Sequence, residues 1–229
     1  FFFHFEAIGT NGRIIPFTKN SNTFYDTVPY DQLHNVVSGT AGAYLLENGR
    51  VNVIDYNRMN AEKAIPTEII DGVEVAKDWK NIVDIACDEQ SYGCLYGLKA
   101  DGTIISDSGI VCNEGSVADL LYGSYDSLFA LKKDGTVYSN VTGEWQNWTN
   151  IVSADVARAG TDYIVASITD DGRVCISGNN SLGQCNVSEW IDIVQLSVTP
   201  VCTLGLTANG TVVVAGLNEL TNIDLGLGE

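Results

Sequence analysis

Six times along this chain an Asn-Gly or Asp-Gly pair is followed by Thr or Arg and then by a β-branched residue. The copies are TNGRII at Gly12, ENGRVN at Gly49, ADGTII at Gly102, KDGTVY at Gly135, DDGRVC at Gly172 and ANGTVV at Gly210. Successive glycines lie 37, 53, 33, 37 and 38 residues apart. Two residues after the glycine stands Ile14, Val51, Ile104, Val137, Val174 or Val212, and four before it Ile8, Leu45, Leu98, Leu131, Ile168 or Leu206. The residue before that is small in Ala7, Gly97, Ala130, Ser167 and Gly205, with Tyr44 the exception. A pattern that returns at this period means one supersecondary unit used many times, each burying its apolar face against the next.

The unit reads as a β-hairpin. Asn-Gly and Asp-Gly tolerate positive φ at both central positions of a type I′ turn, whose twist suits the strands it joins. The fixed Leu or Ile marks the face packed between sheets, and the small residue beside it a place where backbones crowd. A second apolar element precedes each of the last five hairpins: HNVVSG, WKNIVDIA, GSVADLLYG, WTNIVSADV and WIDIVQLSV, with a sixth, LTNIDLGLG, that has no hairpin after it. The opening hairpin, in turn, has no such strand before it. From Ile223 round to Gly12 is 18 residues, a spacing that falls among those of the other copies. These observations predict an all-β fold: a six-bladed β-propeller of four-stranded antiparallel blades, one domain over 1–229, closed by pairing the C-terminal strand with the N-terminal hairpin.

Charge and composition narrow the function. With 12 basic against 29 acidic residues, a formal net charge of -17, the chain lacks the Lys and Arg that coat a phosphate backbone, so no nucleic acid is expected as partner. A protein partner with a basic surface patch suits it better. No apolar run approaches the roughly 18 residues that would span a bilayer, so no membrane insertion is expected, and the chain is read as a monomer. The opening FFFHFE lacks the basic flank of a signal peptide, and the first residue is not Met. An extracellular or cell-surface location is favoured over the cytoplasm. Six cysteines at 87, 94, 112, 175, 185 and 202 show no metal-ligand spacing, and reduced, mostly buried thiols are favoured over a disulfide framework.

The run SGNNSLGQCNVSEWIDIVQL followed by LGLTANGTVVVAG resembles the regulator of chromosome condensation repeat in its bacterial form: G-x-N-x-x-G-Q, a Trp with DIV, then GL, NGTV and AG. The stretches at 79–106 and 148–178 match well, and the other copies keep the turn and the apolar positions. The resemblance implies a β-propeller, most familiarly seven-bladed, that works as a binding platform. In that family the eukaryotic namesake is a nucleotide exchange factor for a small GTPase on chromatin, and a bacterial relative inhibits β-lactamase with one propeller face. Six repeats and strong acidity depart from the chromatin-associated member.

No catalytic residues, cofactor or metal site are expected. His4 occupies a strand position that other copies fill with Cys94, Ser127, Ile164 and Cys202, and His34 sits where others place Trp79, Trp148 and Trp190, so both are expected to pack. No EF-hand or phosphate loop occurs. Five Asn-x-Ser/Thr sequons, at Asn140, Asn147, Asn179, Asn186 and Asn209, are a weak glycosylation signal in a turn-rich chain. The expected function is non-catalytic protein binding through the loops of one propeller face, since a rigid scaffold presents such loops well. The candidate partner-binding residues are Asp88, Glu89, Tyr92, Tyr125, Asp126, Arg158, Asp162 and Tyr163, in loops where Tyr stands beside carboxylate. The alternative is a cell-surface lectin or adhesin, with Trp145 as the exposed aromatic that stacks on a sugar. Longer connections at 16–33 and 55–78 break the period.

Overall fold

A computed structural model describes residues 6–8, 10–16, 34–40, 43–53, 76, 78–86, 95–106, 109–112, 116–123 and 127–216. Contacts divide the chain into two units, Phe1–Gly115 with Gly123–Tyr125, and Ser116–Tyr122 with Asp126–Glu229. His4, Ile223 and the expected pairing of the two termini lie outside the described residues.

In the first unit β1 (Glu6–Ile8) pairs with β2 (Ile14–Pro16), and β3 (Val36–Thr40), β4 (Ala43–Leu46) and β5 (Val51–Val53) form a second sheet. The third sheet orders β6 (Ile82–Ala86), β7 (Tyr96–Lys99), β8 (Ile104–Ser106) and β9 (Gly109–Cys112). Its core joins Leu45 and Val51 of one sheet to Ile82, Ile85, Leu95 and Ile105 of the next, under Trp79.

In the second unit three sheets repeat the same order. They are β10 (Val117–Gly123), β11 (Leu128–Lys132) and β12 (Val137–Ser139); β13 (Ile151–Ala159), β14 (Asp162–Thr169) and β15 (Val174–Ser177); and β16 (Ile193–Val198), β17 (Cys202–Thr207) and β18 (Val212–Gly216). β11 and β12, β13 to β15, and β16 to β18 pair antiparallel. Only the sheet of β6–β9 has the expected four strands among the described residues. Elsewhere in the second unit the segment after the third strand is a short 3-10 helix (Glu144–Asn147) or, over 178–190, a series of turns. There side-chain amides take over from a ladder: Asn180 Oδ1 accepts the Cys185 N–H at 2.8 Å, and Gln184, 1% exposed, accepts the Leu182 N–H and donates to the Pro200 carbonyl.

The repeat positions have a direct geometric cause. Leu45 faces Val51, Leu98 faces Ile104, Leu131 faces Val137, Ile168 faces Val174, Leu206 faces Val212 and Ile8 faces Ile14. The residues four before and two after the glycine are cross-strand partners, the unit in which a sheet is stabilised. Leu45, Leu98, Leu131 and Ile168 are buried as expected, whereas Ile8 is 40% exposed. The small residue makes room for a ring: a Cβ on Gly97 would stand 2.7 Å from Trp79 Cζ3, and one on Gly205 2.8 Å from Trp190 Cζ3.

The turn itself differs from the expected type I′. Gly102 has φ +86 but Asp101 does not enter the positive-φ region, and the same holds at Gly49, Gly135, Gly172 and Gly210. The Gly102 N–H donates to the Lys99 carbonyl and the Lys99 N–H to the Thr103 carbonyl, which is a type I turn closed by a glycine bulge. The Asp or Asn before the glycine favours this form because its carboxylate or amide oxygen accepts the backbone N–H two residues on, as in Asp101 to Thr103 and Asn48 to Arg50.

Candidate functional site

Each sheet has two ends. At one, the first strand turns into the second; at the other lie the glycine turns and the start of the first strand.

At the strand-turn end β13 and β14 meet in a two-residue turn, with Ala159 opposite Asp162 and Arg158 opposite Tyr163. Gly160 takes φ +70 at the first turn position, as a type II′ hairpin needs. The Arg158 guanidinium donates from Nε to the Gly160 carbonyl at 3.1 Å, and Asp162 is exposed. Tyr163 does not join them. It is 9% exposed, packed among Phe129, Trp145 and Tyr122 at centroid separations of 5.1 Å to Phe129 and 5.8 Å to Tyr122, with its hydroxyl against that of Ser127. Asp162 stands at the turn end of β14, whereas every residue from Tyr163 to Ile168 is buried, on both faces of the strand. The expected pairing of tyrosine with neighbouring carboxylate as a surface anchor is thereby corrected here. Asp88, Glu89, Tyr92, Tyr125 and Asp126 lie outside the described residues.

Trp145 is also corrected. It is 6% exposed, stacks edge-on against Phe129 at 5.5 Å and donates its indole N–H to the Val141 carbonyl at 3.3 Å. A residue three before the repeat Trp148 looked surplus to the pattern, but the 3-10 turn at 144–147 folds it back into the core. Its ring face is not available to a sugar.

The glycine-turn end carries a feature the sequence reading missed. Asn35, Asn81, Asn150 and Asp192, each immediately before the first strand, hold φ between 55 and 60. Asn and Asp tolerate this left-handed conformation better than other side-chain-bearing residues. Each clips two turns together. The Asp192 carbonyl accepts the Ala208 N–H of its own repeat, and the next residue, Ile193, donates to the Gly172 carbonyl of the preceding repeat at 2.9 Å. Val36 with Gly12, Ile82 with Gly49 and Ile151 with Gly135 repeat the second bond at 2.9 to 3.2 Å.

Directly after this clip each first strand bulges. The ladder skips from Val36 to Ser38, Ile82 to Asp84, Ile151 to Ser153 and Ile193 to Gln195. The unpaired residues are Val37, Val83, Val152 and Val194, at 55%, 52%, 58% and 57% exposure. The signal in the sequence was the run Asn/Asp, Ile/Val, Val. This anchor also corrects His34: counted from Asn35 it aligns with Lys80, Thr149 and Ile191, all exposed, and His34 is exposed with them rather than packed like Trp79.

In the second unit the bulges of neighbouring repeats share an open groove of about 430 Å³, walled by Val152, Val194 and Ala208 and rimmed by Asp170, Asp171 and Asp192. Asp171 is occupied: Thr169 donates its hydroxyl to the carboxylate, lowering its pKa, and the Arg173 guanidinium stands 3.5 Å away. Asp170 and Asp192 are exposed and carry no ion pair among the described residues.

Asp155 joins two sheets from within. Its carboxylate accepts the Val156 N–H at 2.8 Å and, from the next repeat, the Val198 N–H at 2.7 Å. Burial raises its pKa against the pull of those two bonds, while the exposed turn carboxylates Asp101 and Asp134 are lowered by bonds from Thr103 and Thr136. A raised carboxylate favours the fold when protonated, so its contribution falls as pH rises through the carboxylate range; the lowered turn carboxylates contribute above that range and lose it in acid. The thermal-stability gap between wild type and Asp155→Asn is therefore expected to shift in favour of wild type as pH falls through the carboxylate range. A gap that stays constant would contradict the assignment.

Chemistry is sparse elsewhere. Cys112, Cys175, Cys185 and Cys202 are free thiols; Cys87 and Cys94 lie outside the described residues. Burial raises the Cys185 and Cys175 thiols, so neither is a poised thiolate. Among the described residues no three His, Cys, Asp or Glu side chains converge on a metal position, and no helix is long and apolar enough to cross a membrane.

No protein-family model and no curated protein sequence matches the chain. Among solved structures it is similar to yeast RCC1 (Prp20), in its complex with Kap60, at a TM-score of 0.45 and 14% identity over 61% of this chain and 42% of that one. Prp20p of Saccharomyces cerevisiae, described with binding properties to Gsp1p and histones, gives 0.43 and 14% over 60% and 44%. Human WBSCR16 gives 0.48 and 16% over 82% and 61%. The chain thus spans less than two thirds of each of these proteins.

Proposed function

We propose that this chain is a non-catalytic protein-interaction module, built as a six-bladed propeller of regulator-of-chromosome-condensation-type repeats and engaging its partner through the glycine-turn end of its sheets. One observation carries the reading. In four repeats the same valine is pushed out of the ladder into solvent, beside a backbone clip that fixes its position. Exposed valines scattered singly are ordinary; the same residue displayed at the same bulge in successive repeats, Val37 and Val83 in one unit and Val152 and Val194 in the other, is a pattern. Bulges in strands commonly re-aim a side chain for use.

Two surfaces are in competition. The strand-turn end offers Asp162 and Arg158, with Asp88, Glu89, Tyr92, Tyr125 and Asp126 outside the described residues; the glycine-turn end offers the valines. Affinity capture from the native source with wild type, Val152→Ser/Val194→Ser and Arg158→Ala/Asp162→Asn distinguishes them. Loss of a specific partner with the valine pair alone is expected. Loss with the Arg158 and Asp162 pair alone would move the site to the other end, and equal capture by all three would remove both.

A further inference from the structure

We propose that the groove between Val152 and Val194 takes an arginine-bearing, extended segment of a partner protein; this rests on the reading of the chain as an interaction module and names its partner's chemistry. The walls and rim of the groove ask for two different things. Val152, Val194 and Ala208 present aliphatic surface, whereas Asp170 and Asp192 bring negative charge that no cation answers among the described residues. A long basic side chain satisfies both, because its methylene stem covers apolar surface while its charged head reaches the rim. Arginine fits better than lysine. Its guanidinium is less strongly hydrated and grips a carboxylate through two parallel bonds.

Shape and total charge exclude the other occupants. At about 430 Å³ and open to solvent, the groove accepts side chains laid along it rather than an enclosed small molecule. An extended segment sends alternate side chains to the same side, so successive arginines can face the groove. A second copy of this chain would bring another net charge of -17, including the same aspartates, against the groove. The local cation is already spent, since Arg173 is held by Asp171 on the same turn.

Fluorescence polarisation with a labelled hexapeptide of alternating arginine and alanine tests this on the full chain. Wild type is expected to bind, with affinity falling as salt is raised. Val152→Ser/Val194→Ser and Asp170→Asn/Asp192→Asn should each weaken binding by about tenfold or more, and Asp162→Asn should not. All of these positions are exposed, and asparagine is the residue that other repeats place at the Asp192 position, so the variants should fold. The citrulline and glutamate versions of the peptide should not bind. Equal affinity across all variants would mean diffuse attraction to an acidic protein and overturn the proposal, as would equal binding of the glutamate peptide or no binding at all. If the captured partner depends on the valine pair but not on Asp170 and Asp192, the arginine chemistry falls and the interaction module stands. If sedimentation shows a dimer that the valine pair dissolves, the occupant is a second copy.

Discussion

Alanine at Gly178 is expected to lower the stability of the second unit by about 3 kcal/mol or more. The residue ends β15 at φ +136, a conformation open to glycine and little else, and a Cβ there would stand 2.3 Å from the Tyr163 carbonyl oxygen and 2.8 Å from Ile164 Cα. Both are backbone atoms of the central strand β14, where Ile164 is fully buried, so neither can move aside. Gly160 is the matched control. It too has positive φ, at +70, but a Cβ meets nothing within 4 Å, so Gly160→Ala should cost only the backbone strain, roughly 1–2 kcal/mol. Denaturant midpoints of the two variants measure the difference directly. Equal losses would mean that the close approach of β15 to β14 is not what fixes Gly178.

The second large effect is at Tyr163. Truncation to alanine removes a buried ring from contact with Phe129 and Tyr122 and should cost about 3–5 kcal/mol, whereas Asp162→Ala, one residue away, should stay within about 0.5 kcal/mol. Tyr163→Phe keeps the ring and gives up the bond to Ser127, for about 1 kcal/mol. A tyrosine that served as a surface anchor would show the opposite pattern, with stability intact and partner binding lost. Thermal melts of the three variants therefore separate a core role from a binding role at this position.

The contrast between Asp162 and Tyr163 shows where sequence reading reached and where it stopped. Spacing alone located all six hairpins, and its two apolar positions proved to be cross-strand partners such as Leu98 with Ile104. That signal is local: a turn dipeptide and a fixed count along two strands. Which side of a strand a residue takes is not local, because it depends on register, and one bulge reverses it. Val152 and Val194 were indistinguishable from core valines until the skip in the ladder placed them outside. His34 is misaligned when counted from the tryptophans, and the Asn before the first strand, Asn35, gives the true register of its repeat. Trp145 depended on a short 3-10 turn that no periodicity announces.

The turn type was a subtler matter. Asn-Gly serves both a type I′ turn and a type I turn closed by a glycine bulge, and the choice lies in the side chain. Once Asp101 Oδ1 accepts the Thr103 N–H at 2.9 Å, the residue before the glycine has no need of positive φ. The consequence is functional geometry. The glycine carbonyl is turned toward the next repeat, where it receives Val36, Ile82, Ile151 or Ile193, and the clip so made holds the bulged valine at the surface.

Hydroxyl-radical footprinting of the chain, alone and with its captured protein partner, bears most directly on this account. The account predicts that protection falls on Val152 and Val194 at the glycine-turn end, while oxidation across 158–162 is unchanged. Protection confined to 158–162, with Val152 and Val194 as reactive as in the free chain, would contradict it.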